Sequence, residues 1–350
     1  METNKLDTWI QQNTFDSLDY ADLNILMKQK EQRNMSVSII MPTLEEQNTV
    51  GQILEILIEQ LMWDVKLLDE IIVIDGGSKD KTIEICESYL PHIRLLHEKD
   101  ILPHMRTSKG KGNQLWKGLY STNCDIVIYI DSDLKNFTTG FVTGILGPLL
   151  FRDDVKFVKG FYERKMNANN MKTNEGGRVT EICARPLINL FYPMLSGFIQ
   201  PLSGEYGGYT DVLKNVGFNS SYGVEMKLLI EIYTSFGLNC MGQVNLYEKE
   251  HDHQPLNALT KMSYTIMKTM LKPCVSEIPS NSQLLIKNSK VVKAEHVKIR
   301  SEEHVHCNNS GDDMNNNYFK CAKVEDLDLP PVNQIKNVYN ESDALYEVSI

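Results

Sequence analysis

The sequence has 350 residues, of which 42% are hydrophobic and 23% are charged, so it contains enough apolar material for a sizeable core. At roughly 150 residues per domain, this length predicts about two domains, or one large α/β domain with additions. Lysine and arginine total 36 and aspartate and glutamate total 46, a net charge of -10 that disfavours a general nucleic-acid binder.

No apolar run approaches the roughly 20 residues of a membrane helix, and the first residues lack the pattern of a signal peptide. The 7 cysteines are scattered and form no CxxC pair, which fits a reducing compartment better than a disulfide framework or a zinc ribbon. We therefore expect a cytoplasmic protein that binds neither nucleic acid nor a membrane.

The first 34 residues are polar, and their apolar positions predict a short helix. Leu18, Ala21, Leu23, Leu26 and Met27 have a spacing that would place them on one helix face. We expect residues 1–34 to be an N-terminal helical extension.

From residue 35 onwards, short apolar runs alternate with segments of helical periodicity. We expect strands at 36–41, 70–75, 93–96 and 125–130, and helices at 50–61, 79–90 and 115–120. This alternation predicts an α/β fold with a mostly parallel sheet and helices on both faces. Ligands bind such sheets beyond the carboxyl ends of the strands, where the polar clusters 42–46, 75–78 and 131–133 lie.

The second half of the chain is less regular. Strands are expected at 155–160 and 239–248, and helices at 178–192, 224–236 and 256–271. After residue 275 the chain becomes polar, so we expect residues 276–350 to form a poorly ordered tail or small appendage, with no chemistry assigned to it.

Two motifs of the first half could hold a metal ion or a phosphate. The DSD triplet at 131–133 follows the most apolar strand, where carboxylates can ligate Mg²⁺ or Mn²⁺ beside a diphosphate. The alternative is a turn in which Asp133 caps a helix. The loop KGKG at 109–112 could present an ammonium and backbone N–H groups to phosphate oxygens, or it could be a solvated loop.

Three motifs of the second half could also contact a ligand. The segment 177–180 (GRVT) precedes an expected helix and suits a phosphate or carboxylate, although Thr180 could simply cap that helix. Glu225 could bind a sugar hydroxyl or complement the helix dipole. The histidines of the HDH triplet at 251–253 could complete a metal site or lie on the surface.

Taken in order, these motifs resemble those of the GT-A glycosyltransferases. The nucleotide-sugar motifs are 42–46 (PTLEE), 75–80 (DGGSKD), 110–112 (GKG) and 131–133 (DSD). The downstream motifs 157–162 (FVKGFY), 177–181 (GRVTE), 184–187 (ARPL), 200–206 (QPLSGEY), 222–225 (YGVE) and 251–255 (HDHQP) are similar to those of the glucosyl-3-phosphoglycerate synthases. This resemblance covers about residues 36–270.

The resemblance implies a Rossmann-like GT-A fold, with a nucleotide-sugar-binding half at 35–160 and a partly helical acceptor-binding half at 161–275. It implies transfer of glucose, with retention, from a nucleotide diphosphate glucose to the 2-hydroxyl of 3-phosphoglycerate, for glucosylglycerate synthesis. UDP-glucose and GDP-glucose both remain open as donors. A Mg²⁺ or Mn²⁺ cofactor and a homodimer are implied in the same way.

The same motifs imply the roles of individual residues. The donor-binding residues would be Pro42, Leu44, Glu46, Asp75, Ser78, Lys111, Asp131 and Ser132. The acceptor-binding residues would be Gly177, Arg178, Val179, Thr180, Tyr222 and His253. Asp133 and His251 would ligate the metal, and the catalytic residues would be Glu225, Asp131 and Lys111.

Other functions fit the sequence less well. A mannosyl-3-phosphoglycerate or mannosylglycerate synthase, or another GT-A enzyme, is the nearest alternative. A dinucleotide-dependent oxidoreductase is disfavoured because no GxGxxG motif follows the first strand. Two positions depart from the family pattern: Gly76 stands where many relatives carry Asp or Ser, and Lys249 where some carry Arg. Lysine and arginine are not equivalent in bidentate contacts.

Overall fold

The computed structural model describes residues 2–105, 108–164, 166–168, 171–173, 177–250, 255–275, 284–287, 319–322, 324 and 326–335. Its α-helices are α1 (Glu2–Asn13), α2 (Leu23–Gln32), α3 (Val50–Ile56), α4 (Thr82–Glu87), α5 (Lys111–Ser121), α6 (Gly140–Phe151), α7 (Arg185–Phe191), α8 (Thr210–Lys214), α9 (Val224–Phe236) and α10 (Leu256–Leu271). Leu57–Trp63, which follows α3, and Thr180–Ala184, which precedes α7, are π-helical.

The strands are β1 (Thr14–Asp16), β2 (Val37–Thr43), β3 (Glu70–Asp75), β4 (Arg94–His97), β5 (Ile126–Tyr129), β6 (Phe157–Arg164), β7 (Met166–Ala168), β8 (Met171–Thr173), β9 (Tyr206–Tyr209), β10 (Phe218–Asn219), β11 (Met241–Lys249), β12 (Leu284–Lys287), β13 (Phe319–Ala322) and β14 (Asp328–Leu329). Short 3-10 turns connect several of these elements, including Ser17–Tyr20.

One sheet of 8 strands organises the fold, in the order β1-β11-β6-β9-β5-β2-β3-β4. Strand β9 runs antiparallel to both of its neighbours, β5 and β6, whereas the other neighbouring pairs are parallel. The predicted mostly parallel α/β sheet is therefore confirmed.

Helices cover both faces of this sheet. Ile40 pairs with Tyr129 in β5, which in turn pairs with Tyr206 in β9, so these three side chains share one face of the sheet. The next residue, Gly207, therefore faces the other side of the sheet. Helix α5 packs against Ile40 through Gly118, while Ile145 of α6 packs against Gly207. Because neither face is open to water, β2 and β5 are buried along their whole length and mostly apolar, without polar alternation.

The N-terminal segment is only partly helical, so the expectation of one helix running from Leu18 to Met27 is wrong. Strand β1 extends the sheet by pairing with β11, and a 3-10 turn and helix α2 follow it. The break comes at Asp22, whose carboxylate accepts the N–H groups of Asn24 and Ile25 and caps α2. A strand of 3 residues is too short to leave a recognisable sequence pattern.

Part of the polar C-terminal region is packed, so the expectation of a poorly ordered tail is wrong for residues 326–335. Strand β14 pairs antiparallel with β10, and Leu329 and Val332 are buried. The indole N–H of Trp116, in α5, donates to the carbonyl of Pro330 at 2.7 Å. Across the ranges given above, no helix combines the length and the apolar character needed to cross a bilayer.

Candidate active site

A cavity of about 670 Å³ lies beyond the carboxyl ends of β2, β3 and β5. Parallel strands present their following loops at one edge of a sheet, which is why three separate polar clusters meet there. The residues predicted from sequence that line this cavity are Pro42, Leu44, Glu46, Lys111, Asp131, Ser132, Asp133, Gly177, Arg178, Val179, Thr180, Tyr222 and Glu225.

Two of the predicted donor residues do not line the cavity. The carboxylate of Asp75 accepts the backbone N–H of Gly77 at 2.8 Å and of Ser78 at 3.1 Å. The hydroxyl of Ser78 accepts the N–H of Glu45 at 2.9 Å. In the structure these side chains hold loop backbone at the edge of the cavity, and their contact with a nucleotide stays a prediction. The predicted residues His251 and His253 lie outside the described residues.

Side chains from residues 78–82, at the loop after β3 and the start of α4, hold the loop after β2. Successive N–H groups of Glu45, Glu46 and Gln47 donate to Ser78 at 2.9 Å, Thr82 at 2.8 Å and Asp80 at 3.2 Å. The backbone of Glu45 has a φ of 61°, a left-handed conformation that these bonds stabilise. The loop that carries Leu44 and Glu46 into the cavity is therefore fixed before a ligand binds.

Lys111 joins two carboxylates at the centre of the cavity. It is the first residue of α5, and Glu225 is in the first turn of α9. The ammonium of Lys111 lies 2.6 Å from Asp131 Oδ1 and 3.0 Å from Glu225 Oε1. Although burial opposes it, the carboxylates of Asp131 and Glu225 raise the pKa of Lys111 well above its usual value. Lys111 is therefore positively charged at neutral pH.

Lys249 is a second cation beside Asp131. Its ammonium lies 2.9 Å from Asp131 Oδ2 and 2.5 Å from Glu205 Oε1. Despite burial, Lys111 and Lys249 hold the pKa of Asp131 well below its usual range. Glu205 has no exposed surface, and burial raises its pKa while Lys249 opposes the shift. In the sequence, Lys249 stands out only as a departure from the family pattern, and Glu205 has no predicted role.

Lys159 is a third lysine near these groups, and its side chain is buried. Its ammonium donates to the carbonyl of Ser203 at 2.9 Å and lies 4.4 Å from the centre of the Tyr206 ring. Burial lowers the pKa of Lys159 to about 7, with Glu225 opposing the shift. A lysine in the middle of the apolar run FVKGFY is the sequence signal for such a residue, because burying a lone charge is costly.

Asp133 differs from Asp131 because no lysine ammonium lies as close to its carboxylate. Its Oδ1 lies 4.0 Å from the ammonium of Lys249 and is buried without a hydrogen-bond partner. Both oxygens of Asp131, in contrast, bind lysines. Asp133 is thus the carboxylate of the DSD triplet that fits a metal ion. Among the described ranges, no three His, Cys, Asp or Glu residues cluster as a metal site.

The segment 177–180 also lines the cavity. Gly177 has a φ of 86°, and its carbonyl accepts the N–H of Glu181 as the helix begins. Val179 and Thr180 are buried, whereas Arg178 is exposed and lines the cavity. The first N–H groups of this helix and a guanidinium are therefore close together, an arrangement that favours an anion.

Comparison with known proteins identifies the family. Residues 38–200 match the model of glycosyl transferase family 2. The chain is 40% identical over 293 residues to the glucosyl-3-phosphoglycerate synthase of Petrotoga mobilis, covering 83% of this chain and 90% of that protein. The chain belongs to the glucosyl-3-phosphoglycerate synthase family. It is also 41% identical over 240 residues to the Mycolicibacterium smegmatis enzyme, covering 68% of this chain and 78% of that one.

Solved structures agree with this assignment. Glucosyl-3-phosphoglycerate synthase from Mycobacterium tuberculosis, in complex with Mn²⁺, UDP and phosphoglyceric acid, matches with a TM-score of 0.72 and 31% identity, covering 89% of this chain and 94% of that one. Mannosyl-3-phosphoglycerate synthase from Rubrobacter xylanophilus matches with a TM-score of 0.78 and 28% identity, covering 94% and 97%. The fold is GT-A, and this member of the family is a glycosyltransferase.

Proposed function

We propose that this chain transfers glucose from UDP-glucose to the 2-hydroxyl of 3-phosphoglycerate, with retention of configuration and with Mg²⁺ or Mn²⁺ as cofactor. The observation that carries the proposal is that one cavity is lined both by Lys111, Asp131 and Glu225 and by the anion-favouring segment 177–180. The solved Mycobacterium tuberculosis relative, which is 31% identical, binds Mn²⁺, UDP and phosphoglyceric acid.

Asp133, together with the predicted ligand His251, would hold the metal. The buried, unpartnered Oδ1 of Asp133 suits a hard cation, which prefers carboxylate oxygen. When bound, the metal would neutralise negative charge on the donor diphosphate. Such a cation is needed because the four carboxylates near the diphosphate outnumber the three lysines. These carboxylates are Asp131, Asp133, Glu205 and Glu225, and the lysines are Lys111, Lys159 and Lys249.

Lys111 would act on the leaving group. As the bond between the glucose carbon and the diphosphate breaks, negative charge increases on the phosphate oxygen. An ammonium that is already held in place by Asp131 and Glu225 needs little rearrangement to stabilise that charge.

Arg178 and Thr180 would hold the phosphate or carboxylate of the acceptor. The acceptor is an anion and the chain has a net charge of -10, so binding requires local positive charge. The exposed guanidinium at the start of a helix supplies it, with the helix N–H groups beside it.

The contacts of the carboxylates favour front-face attack over double displacement. Both oxygens of Asp131 and one oxygen of Glu225 bind lysines, which makes these groups poor nucleophiles. In front-face attack the carbon–oxygen bond to the diphosphate breaks, and a bond to the 2-oxygen of the acceptor forms on the same face. The proton of the acceptor hydroxyl passes to the departing phosphate oxygen. Asp131 and Glu225 would then orient the hydroxyls of the glucose.

A mannosyltransferase is the second candidate, because the mannosyl-3-phosphoglycerate synthase matches with a TM-score of 0.78. The test is mass spectrometry of the products formed from 3-phosphoglycerate with UDP-glucose, GDP-glucose, UDP-mannose and GDP-mannose, each with Mg²⁺, Mn²⁺ or EDTA. We expect the hexosyl product from UDP-glucose with either metal and none with EDTA. Product formed mainly from a mannose donor would establish the alternative instead.

Two further proposals are a homodimer, which rests on the resemblance, and a cytoplasmic location, which rests on the cysteine pattern of the sequence. The latter agrees with the cysteines of the described ranges, which form no disulfide. Light scattering of the purified protein tests the former, and fractionation of cells that express it tests the latter.

A further inference from the structure

The segment 326–335 is bonded to the loop that leads into helix α9. Asn219 pairs with Asp328 across β10 and β14. Next to this pair, the N–H of Ser220 donates to the carbonyl of Leu327, and the N–H of Leu327 donates to the hydroxyl of Ser220, both at 2.8 Å. This segment lies well beyond residues 38–200, the range of the family model.

A buried carboxylate, Asp326, lies at the start of this segment. Its side chain is 8% exposed, and its Oδ1 is 2.7 Å from the ammonium of Lys268 in α10. Its Oδ2 accepts the side-chain N–H of Asn219 at 3.4 Å. Asp326 therefore joins helix α10, which lines the cavity through Met262 and Ile266, to the loop before α9.

Asn219 connects Asp326 to the loop beside the cavity. Its Oδ1 accepts the N–H of Ser221 at 3.0 Å and of Gly223 at 3.3 Å. These residues flank Tyr222, and Glu225 follows in the first turn of α9. In the side-chain amide of Asn219, only the nitrogen can donate and only the oxygen can accept. Because the carboxylate of Asp326 accepts from the nitrogen, the oxygen stays oriented towards the N–H groups of Ser221 and Gly223.

The same loop also touches the start of α5. The carbonyl of Ser220 accepts the N–H of Asn113 at 2.9 Å, and the hydroxyls of Ser220 and Ser108 are 2.5 Å apart. A Cβ atom added at Gly112 would lie 1.9 Å from the carbonyl oxygen of Asn219. The loop 219–223 thus lies between the beginnings of the two helices that carry Lys111 and Glu225.

We infer that Asp326 is a positioning residue, which orients Asn219 and thereby holds the loop 219–223, Tyr222 and Glu225 in the geometry needed for transfer. The kinetic part of this inference rests on the proposed function, whereas the structural part does not. Loss of the carboxylate lets the Asn219 amide rotate, which would place its N–H groups against those of Ser221 and Gly223.

The chain offers a matched control in Asp328. This carboxylate lies two residues further along and forms an ion pair with Lys272, the residue that caps the end of α10. The side chains of Lys272 and Asp328 are 67% and 32% exposed, so the pair is at the surface. Exposed pairs contribute little to stability. Asp328→Ala should therefore behave like the wild type.

The kinetic test compares Asp326→Ala, Asp326→Asn and Asp328→Ala with the full-length wild type. For Asp326→Ala we expect kcat/KM for 3-phosphoglycerate to fall on the order of 10-fold, as for a small misplacement of reacting groups. Binding of UDP with Mn²⁺, measured by calorimetry, should be unchanged. A general loosening of the fold would weaken UDP binding as well. Asp326→Asn keeps one acceptor for Asn219 and should give an intermediate value.

Amide hydrogen exchange of the same proteins without substrate gives a readout that does not depend on the reaction. We expect faster exchange in a peptide that covers 219–225 in Asp326→Ala but not in Asp328→Ala. If Asp326→Ala does not fold, the same measurements on Asp326→Asn and Lys268→Met decide. Wild-type exchange and wild-type kcat/KM in the Asp326 variants would overturn the inference. An inactive wild type would refute the proposed function but not the role of Asp326. The hydrogen-exchange comparison would then test that role by itself.

Discussion

At the scale of single residues, the chemistry of each charged group in the cavity depends on the groups that surround it. Asp131 binds two lysines, one at each oxygen, which keeps its carboxylate ionised. Asp133, only two residues away, has a buried oxygen without a hydrogen-bond partner. Two aspartates of one triplet therefore differ in chemistry because of their neighbours, which the spacing of the motif could not show.

Arg178→Ala should affect the acceptor and not the donor. Loss of a charge-assisted contact costs about 1.5–3 kcal/mol. This corresponds to a rise of roughly 10- to 150-fold in KM for 3-phosphoglycerate, as measured by steady-state kinetics. UDP binding with metal should be little changed.

A matched control for Arg178 is available on the same helical segment. Arg185 forms an ion pair with Glu181 and donates to the carbonyl of Ile199, and it does not line the cavity. Arg185→Ala should therefore leave KM for the acceptor near the wild-type value. Collapse of UDP binding in Arg178→Ala, with acceptor binding intact, would show that the two subsites are assigned the wrong way round.

Lys159→Met should change how stability depends on pH. The folded-state pKa of Lys159 is lowered to about 7, whereas an unfolded lysine has a pKa of about 10.4. Between these values the unfolded state binds more protons, so the wild type gains stability as pH rises. Relative to Lys159→Met, the wild type should gain about 1.4 kcal/mol per pH unit over that range.

Urea unfolding of both proteins between about pH 7 and pH 9 measures this difference. The variant also loses the hydrogen bond to Ser203, but that loss shifts the difference by a constant amount and does not change its slope. A difference that stays constant over this range would mean that Lys159 keeps an ordinary pKa.

At the scale of elements, the approach of α5 to the loop after β10 determines the distance between Lys111 and Glu225. Gly112→Ala would place a Cβ atom 1.9 Å from the carbonyl oxygen of Asn219, so the two backbones must separate. We expect a loss of about 1–3 kcal/mol in the free energy of unfolding, typical of overpacking, together with a fall in kcat. Urea unfolding and steady-state kinetics check both effects.

Gly140→Ala is the control for this substitution. Gly140 is the first residue of α6, and the nearest atom to an added Cβ is 3.4 Å away, an ordinary contact. Its unfolding free energy should be close to that of the wild type. If Gly112→Ala is equally harmless, then the close approach of α5 does not fix the position of Lys111.

The elements that could be predicted from sequence are those with a strong local pattern. Strand β3 at 70–75 and helices α9 at 224–236 and α10 at 256–271 have the predicted bounds, because apolar runs and helical periodicity mark them clearly. Strand β9 (YGGY) was missed because glycine gives no strand signal, and its antiparallel place between β5 and β6 depends on tertiary pairing.

The same limit applies to the site. Lys111, Asp131 and Glu225 were predicted, and they meet in the cavity. Their partner Lys249 could not be assigned a role, because its contact with Asp131 spans 118 residues of sequence. Asp326 lies in a polar stretch without periodicity, so only the folded chain shows that it is buried.

At the scale of the whole molecule, both ends of the described chain contribute to the fold around the cavity. Strand β1 extends the sheet through β11, the strand that ends at Lys249. Strand β14 covers the loop before α9 through β10. The two anionic substrates proposed above fit a chain with a net charge of -10 because basic groups are concentrated around the cavity.

The most direct test is NMR spectroscopy of the product that the purified protein makes from UDP-glucose and 3-phosphoglycerate with Mg²⁺. We predict an α-linked glucose, identified by the coupling between its first two ring protons, whose anomeric carbon is bonded through oxygen to carbon 2 of the glycerate. A β-linked product, attachment at another oxygen, or free glucose as the only product would contradict the proposed reaction.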